Sequence, residues 1–315
     1  MENNSVVNNN SNRGGRLSKY PSGASALGLG IVGLGAAWDS FSPEIGWWIF
    51  LLTIIISICL FTPYVLKMIF CFPAFVADAQ NTLNGSVITS VDMSLLTISI
   101  FVHRYNPESG RLLWFFASIM HLVIWYTFTY YRIKLGNLLE FHFGWFVTYG
   151  GIVTVAVTAG PMGFNPWARA FWYIGLISTC ILVPIITYRG ARLRFEDKYK
   201  ITIPVIAAPV NLLLAGYLSG VFEINQSLLN LVAIAAFTAT FVAYLQSYRG
   251  AKLPFAPTFA SFTFPLSIGA TAAIRFGRFY PSFFFLGYIT ITITSIFVLY
   301  TMWRFYKFYV LGKAE

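Results

Sequence analysis

Hydrophobic and polar positions along this chain form long apolar runs broken by short polar stretches. A helix needs about 20 mostly apolar residues to cross the hydrocarbon of a bilayer. Ten runs satisfy that requirement: 21–40, 45–68, 86–103, 111–131, 142–162, 167–188, 199–219, 226–247, 255–276 and 282–306. The loops between them are short, so consecutive helices are expected to be antiparallel neighbours in one domain covering 20–311. Residues 1–19 are polar, carry an Asn/Ser run and lack an apolar core, which predicts a disordered tail rather than a cleavable signal. Residues 312–315 form a second short tail.

The pattern also repeats. "YRGARL" at Tyr188–Leu193 returns as "YRGAKL" at Tyr248–Leu253, and "YRIKL" at Tyr131–Leu135 is a weaker echo. Each follows an even-numbered run, and the odd runs begin at intervals of roughly 60 residues, a period typical of repeat architectures. Pro63 and Pro184 sit at matching places near the ends of even runs. The expected fold is therefore all-α and membrane-integral. Ten transmembrane helices form five hairpins, and a quasi-fivefold ring of inner, odd-numbered helices surrounds a central pore.

Composition agrees. The 315 residues are 57% hydrophobic and 10% charged, against about 25% charged in a soluble domain. All but five of the 21 Lys and Arg (Arg104, Arg111, Arg169, Arg275 and Arg278) fall on one side of the helices. By the positive-inside rule that side is cytoplasmic and holds both termini, in an inner or plasma membrane. The net charge of +10 is then an orientation signal rather than a nucleic-acid footprint. Cys59, Cys71 and Cys180 have no metal-ligand or disulfide spacing.

The odd runs are rich in small and helix-bending residues, which allow close backbone approach or line a cavity. Gly28 in the first, Gly150 and Gly151 in the fifth, Pro209 in the seventh and Pro265 in the ninth mark the candidate inner surface and its kinks. Pro265 has no N–H for the carbonyl of Ser261, which predicts a bend there. The even runs, such as "GWWIFLLTIIISICLF", are bulkier and suit a lipid-facing wall. Asp92 is the one acid inside a run. Three readings stay open for it: hydration near the cytoplasmic end, pairing with Arg or Lys, or service as a proton-coupling site. His121 is expected on an outer helix as a packing residue without a second ligand, so no metal site is expected. Asn211 either faces the pore or caps the bend after Pro209.

Four stretches in order, "PSGASALGLGIVGLGAAW" (21–38), "RYNP" (104–107), "AAPVNLLLAGYLS" (207–219) and "SFTFPLSIGATA" (261–272), resemble the tellurite-resistance/dicarboxylate transporter family. That family includes bacterial tellurite-resistance protein A, yeast malate and sulfite transporters and plant slow anion channels. The resemblance covers about residues 20–311. It implies a homotrimer with a pore in each protomer, blocked mid-membrane by a phenylalanine of the ninth helix, here Phe264. It implies passage of small inorganic or organic anions through the bilayer, of the slow-anion-channel type; the alternative is a proton-coupled malate, sulfite or tellurite transporter. At the residue level, a ring at a helix bend makes a dry constriction. Few cations lie deep in the runs, so hydroxyls such as that of Thr271, with backbone dipoles, would replace the anion's water. No side chain stands out as a bidentate fork for a dicarboxylate. No enzyme constellation or cofactor motif is present, so an enzyme is not expected.

Overall fold

The computed structural model describes residues 15–193 and 195–312, which are helical with no strand among them. The elements are α1 (Ser22–Phe41), α2 (Pro43–Phe70), α3 (Thr82–Tyr105), α4 (Pro107–Lys134), α5 (Trp145–Thr158), α6 (Asn165–Leu193), α7 (Ile203–Tyr217), α8 (Gln226–Gly250), α9 (Pro257–Phe279) and α10 (Pro281–Tyr309). Eight of these are long and apolar enough to cross a membrane, and the chain is a multi-pass membrane protein. The exceptions are α5 and α7. At a rise of 1.5 Å per residue each extends only about 20 Å, short of a ~30 Å hydrocarbon core. The sequence expectation of ten full-length runs is corrected at these two, which local backbone cuts short. Gly160 and Pro161 follow α5, and α7 opens with a 3₁₀ turn at Ile203–Ile206.

Of the tail expected over 1–19, residues 1–14 lie outside the described residues. Gly15–Ser18 forms one helical turn, and the Tyr20 hydroxyl donates to Leu60 O at 2.7 Å, so the chain is docked on α2 at residue 20. Residues 313–315 and Arg194 are also outside.

Burial alternates along the chain. In the apolar windows of α1, α3 and α9, 72%, 72% and 89% of residues are buried, against 28–33% in α2, α4, α6, α8 and α10. The even helices turn side chains such as Trp48, Ile55, Ile177, Leu231 and Ile296 outward. Apolar surface of that extent is stable only against lipid or another apolar partner.

The odd helices touch in a closed order: α1 on α3, α3 on α5, α5 on α7, α7 on α9, and α9 back on α1. Glycines permit the closest approach. A Cβ at Gly30 would collide with Thr263 in α9, and one at Gly35 with Thr53 of α2. The Ser267 hydroxyl ties α9 to the Gly30 carbonyl at 2.8 Å.

Four of the odd helices change geometry along their length. α3 turns at 86–89, α5 passes through a 3₁₀ segment at Gly151–Val153, α7 begins as 3₁₀, and α9 runs as 3₁₀ over Pro257–Phe262 before becoming α-helical at Phe264. The bend expected at Pro265 is thus a junction between two helix types rather than a kinked α-helix. Ahead of it the bonds are i→i+3, as in Thr263 N–H to Ala260 O at 3.1 Å, and Pro265 occupies the first turn of the α-helix, where a missing N–H costs nothing.

Candidate functional site

Two cavities are lined chiefly by residues of the odd helices. The larger, about 490 Å³, is lined by their C-terminal portions: Ala36 and Asp39 of α1, Thr97 and Arg104 of α3, Thr154 and Thr158 of α5, Leu212 of α7, and Ile268, Thr271, Arg275 and Arg278 of α9. The smaller, about 60 Å³, is lined by their N-terminal portions and the residues just ahead: Ser22 and Ala26, Ser86 and Ser90, Gly144 and Val147, Thr202 and Val205, Thr258 and Ser261. The larger is the far cavity and the smaller the near cavity. One residue lines both, Phe264. It stands at the 3₁₀-to-α junction of α9, so its side chain leaves the backbone between the two chambers. Gly33 of α1 faces its ring, with a Cβ there lying 3.6 Å from Phe264 Cδ2. That is ordinary contact, and the tighter neighbour of such a Cβ is Ser267 Cβ at 3.3 Å. Phe264 is buried, and Ile268 joins it on the far-cavity side.

The chambers differ in charge. The near cavity has hydroxyls and the Asn84 amide but no ionised group in its lining. The far cavity holds Arg104, Arg275 and Arg278 against one carboxylate, Asp39. Arg104 forks onto Asp39, with Nη1 to Oδ1 at 2.8 Å and Nη2 to Oδ2. Arg278 donates to Ser40 O, and Arg275 donates to two backbone carbonyls. Three cations and one anion leave a net charge of +2 on this lining. A water-filled chamber with that lining gathers anions and disfavours cations.

The sequence profile described as SLAC1, voltage-dependent anion channel, matches residues 20–307. The chain belongs to that family. No curated protein matches it. SLAC1-family proteins carry anions across membranes and are not enzymes, which agrees with a +2 chamber inside a helical membrane protein.

The other residues singled out in this SLAC1-family sequence fall in different places. Thr271 lines the far cavity, and Pro265 the near one. Pro209 is buried against Gly150, whose added Cβ would stand 2.8 Å from the Pro209 ring. Gly28 faces Ser57 of α2, and Gly151 faces Met93 of α3 and His121 of α4. Gly28, Gly150 and Gly151 therefore line neither cavity. They were expected on the inner surface because they are small, but here smallness serves close contact between helices. Asn211 neither faces a cavity nor simply caps a bend. Its amide donates to Ala207 O at 2.8 Å and to Thr240 Oγ1 of α8 at 2.7 Å.

Asp92 departs furthest from its expectations. It is fully buried, away from bulk solvent, and its partner is a histidine rather than Arg or Lys. His121 Nδ1 meets Asp92 Oδ2, and His121 Nε2 donates to Thr148 O at 3.0 Å. A carbonyl only accepts, so Nε2 carries a proton, and the Asp92–Nδ1 contact shares another. The trio joins α3, α4 and α5 and lines neither cavity. His121 thus faces inward from its outer helix. Among the described residues no cluster of His, Cys, Asp and Glu fits a metal ion.

The sequence marked Arg275 only as one of the five basic residues on the side opposite the basic loops. The signal was available. Phe264, Ile268, Thr271 and Arg275 are spaced i, i+4, i+7 and i+11, one stripe of an α-helix. Once Phe264 is placed on the axis, the stripe carries Arg275 into the chamber beyond it.

Proposed function

We propose that this protein passes small anions through a conduit running down the axis of the odd helices, with Phe264 as its plug. The observation that carries this reading is that Phe264 alone lines both chambers. In this reading all ten helices belong to five hairpins, α5 and α7 complete their crossings with the flanking 3₁₀ and turn segments, and the even helices form the lipid-facing wall. The basic loops and both termini lie in the cytoplasm, so the near cavity opens inward and the far cavity outward. Three copies assemble, each with its own conduit, as the resemblance implies.

The energetics support an aromatic plug. An anion stripped of water in a dry constriction faces a large desolvation cost, and a ring that fills the constriction leaves no room for the hydration shell. On the inner side, the N-terminal ends of the odd helices surround the near cavity and supply partial positive charge there without any ionised side chain. On the outer side, the net +2 lining attracts anions at long range. Attraction on both sides of a narrow hydrophobic barrier, without a closed cage of cations, suits rapid passage rather than tight capture. The buried Asp92–His121 trio touches neither chamber, which favours passive flow over proton coupling.

The test is Phe264→Ala in planar bilayers or oocytes. Anion current at matched surface expression should rise more than tenfold, which corresponds to lowering the barrier by about 1.4 kcal/mol. Phe264→Trp should stay closed. Equal currents from wild type and Phe264→Ala would sink the plug assignment.

A further inference from the structure

Arg275 holds a position that a general attraction of anions does not explain. Its Nη1 donates to Val157 O at 3.1 Å and to Ala215 O at 2.6 Å. These carbonyls sit in the last turns of α5 and α7, the two short helices. The local chain supplies neither with a backbone donor. Val157 would be served by residue 161, but Pro161 has no N–H. Ala215 would be served by Ser219, whose N–H goes to Gly216 O at 3.2 Å instead. A helix C-terminus carries roughly half a negative charge. Two of them opening on the far cavity would repel an anion, and one guanidinium answers both.

The same anchoring fixes the direction of the rest of the group. With Nη1 held, the planar fork cannot rotate freely. Nε and Nη2 have no protein partner among the described residues, and neither is a sealed-off buried orphan. Both belong to a residue that lines the far cavity. The one carboxylate of that lining, Asp39, is already gripped by Arg104, so it does not compete for this edge.

We propose that the Nε–Nη2 edge of Arg275 is an anion-binding point that prefers anions with two adjacent oxygens, such as a carboxylate, over a halide of equal charge. A planar two-donor edge takes two oxygens in parallel hydrogen bonds, whereas a halide accepts at a single point. This rests on the far cavity being part of the anion path, and it supplies the fork that the sequence alone did not reveal.

Two measurements decide it. In detergent, at equal ionic strength, sodium formate should raise the Tm of the wild-type protein more than sodium chloride does. That difference should vanish in Arg275→Lys, which keeps the charge and a donor for the carbonyls but loses the fork, and in Arg275→Gln. If formate gives no excess over chloride in the wild type, the proposal fails even where a variant does not fold. If Arg275 only staples α5 to α7, both variants lower Tm equally in either salt and leave the formate excess intact, which also overturns it. In a conducting Phe264→Ala background, Arg275→Lys should reduce the formate-to-chloride permeability ratio about threefold, the size of one modest hydrogen bond, while anions remain favoured over cations. An unchanged ratio counts against the proposal. Silence of Phe264→Ala in bilayers would sink the conduit reading alone, because the formate excess in Tm needs no current.

Discussion

At the scale of single residues, burial and partner decide what each polar group does. Asp92 and His121 are both fully buried and bond each other through Asp92 Oδ2, with Thr148 O on the far side of the imidazole; Asp92 Oδ1 has no partner among the described residues. Removing one member of a buried pair leaves an uncompensated polar group, which costs about 3–5 kcal/mol. His121→Ala should therefore lower the Tm sharply or prevent folding. Asp92→Asn should cost less, because an amide still bonds to the imidazole. Because the trio touches neither chamber, Asp92→Asn should leave the pH dependence of anion flux unchanged; a lost dependence, measured in liposomes with and without a pH gradient, would restore the proton-coupling reading. The acid itself was legible in the sequence as the one carboxylate inside an apolar run. Its partner was not, because residues 92 and 121 meet only when α3 and α4 pack with the right rotation. The same limit applied to Gly28 and Gly151: small size marks a residue for close approach but does not say to which neighbour.

At the scale of elements, the recurring hexapeptide shows how repetition and role come apart. In both copies an aromatic ring of the following segment covers the glycine. A Cβ at Gly190 would lie 2.6 Å from Phe195 Cε2, and one at Gly250 would lie 2.6 Å from Phe262 Cζ. The arginines beside them differ. Arg189 is buried, with its guanidinium 4.4 Å from the Phe195 ring centroid, while Arg249 is exposed. The buried face of α6 runs through Leu182, Ile186 and Arg189, and that of α8 through Ala243, Ser247 and Gly250. The α8 face thus lies one residue later along the repeat, which rotates the motif by about 100°. Arg189→Ala should lower stability measurably, whereas Arg249→Ala should stay within about 0.5 kcal/mol, as surface changes do. Gly250→Val should cost about 1–3 kcal/mol by overpacking against Phe262. Thermal unfolding of the three variants side by side checks the order, and equal losses at the two arginines would refute the difference in role. Element length followed the same logic: hydrophobic runs announced α5 and α7, but Pro161 and the 3₁₀ start at Ile203 shortened both.

At the scale of the whole molecule, the far chamber's net charge makes a prediction about the field that an anion meets beyond the plug. Asp39 neutralises Arg104 at its rim. Asp39→Asn raises the lining from +2 to +3. In a conducting Phe264→Ala background it should increase anion current at 10 mM salt, and the gain should fade toward 1 M as the Debye length shrinks from about 30 Å to about 3 Å. Arg278→Gln should do the reverse. Salt-independent changes would mean that these residues act through local structure rather than through the field of the chamber.

Apolar run length and charge bias are written into consecutive residues, so the sequence by itself established a helical membrane protein and the family it resembles. Burial, in contrast, depends on the rotation of each helix about its own axis. Contacts between residues hundreds of positions apart, such as Ser267 with Gly30, set that rotation. Only the tertiary structure therefore decided that Asp92 turns to a histidine, that the glycines seal helix against helix, and that Arg275 bridges two helix ends at the wall of the far chamber.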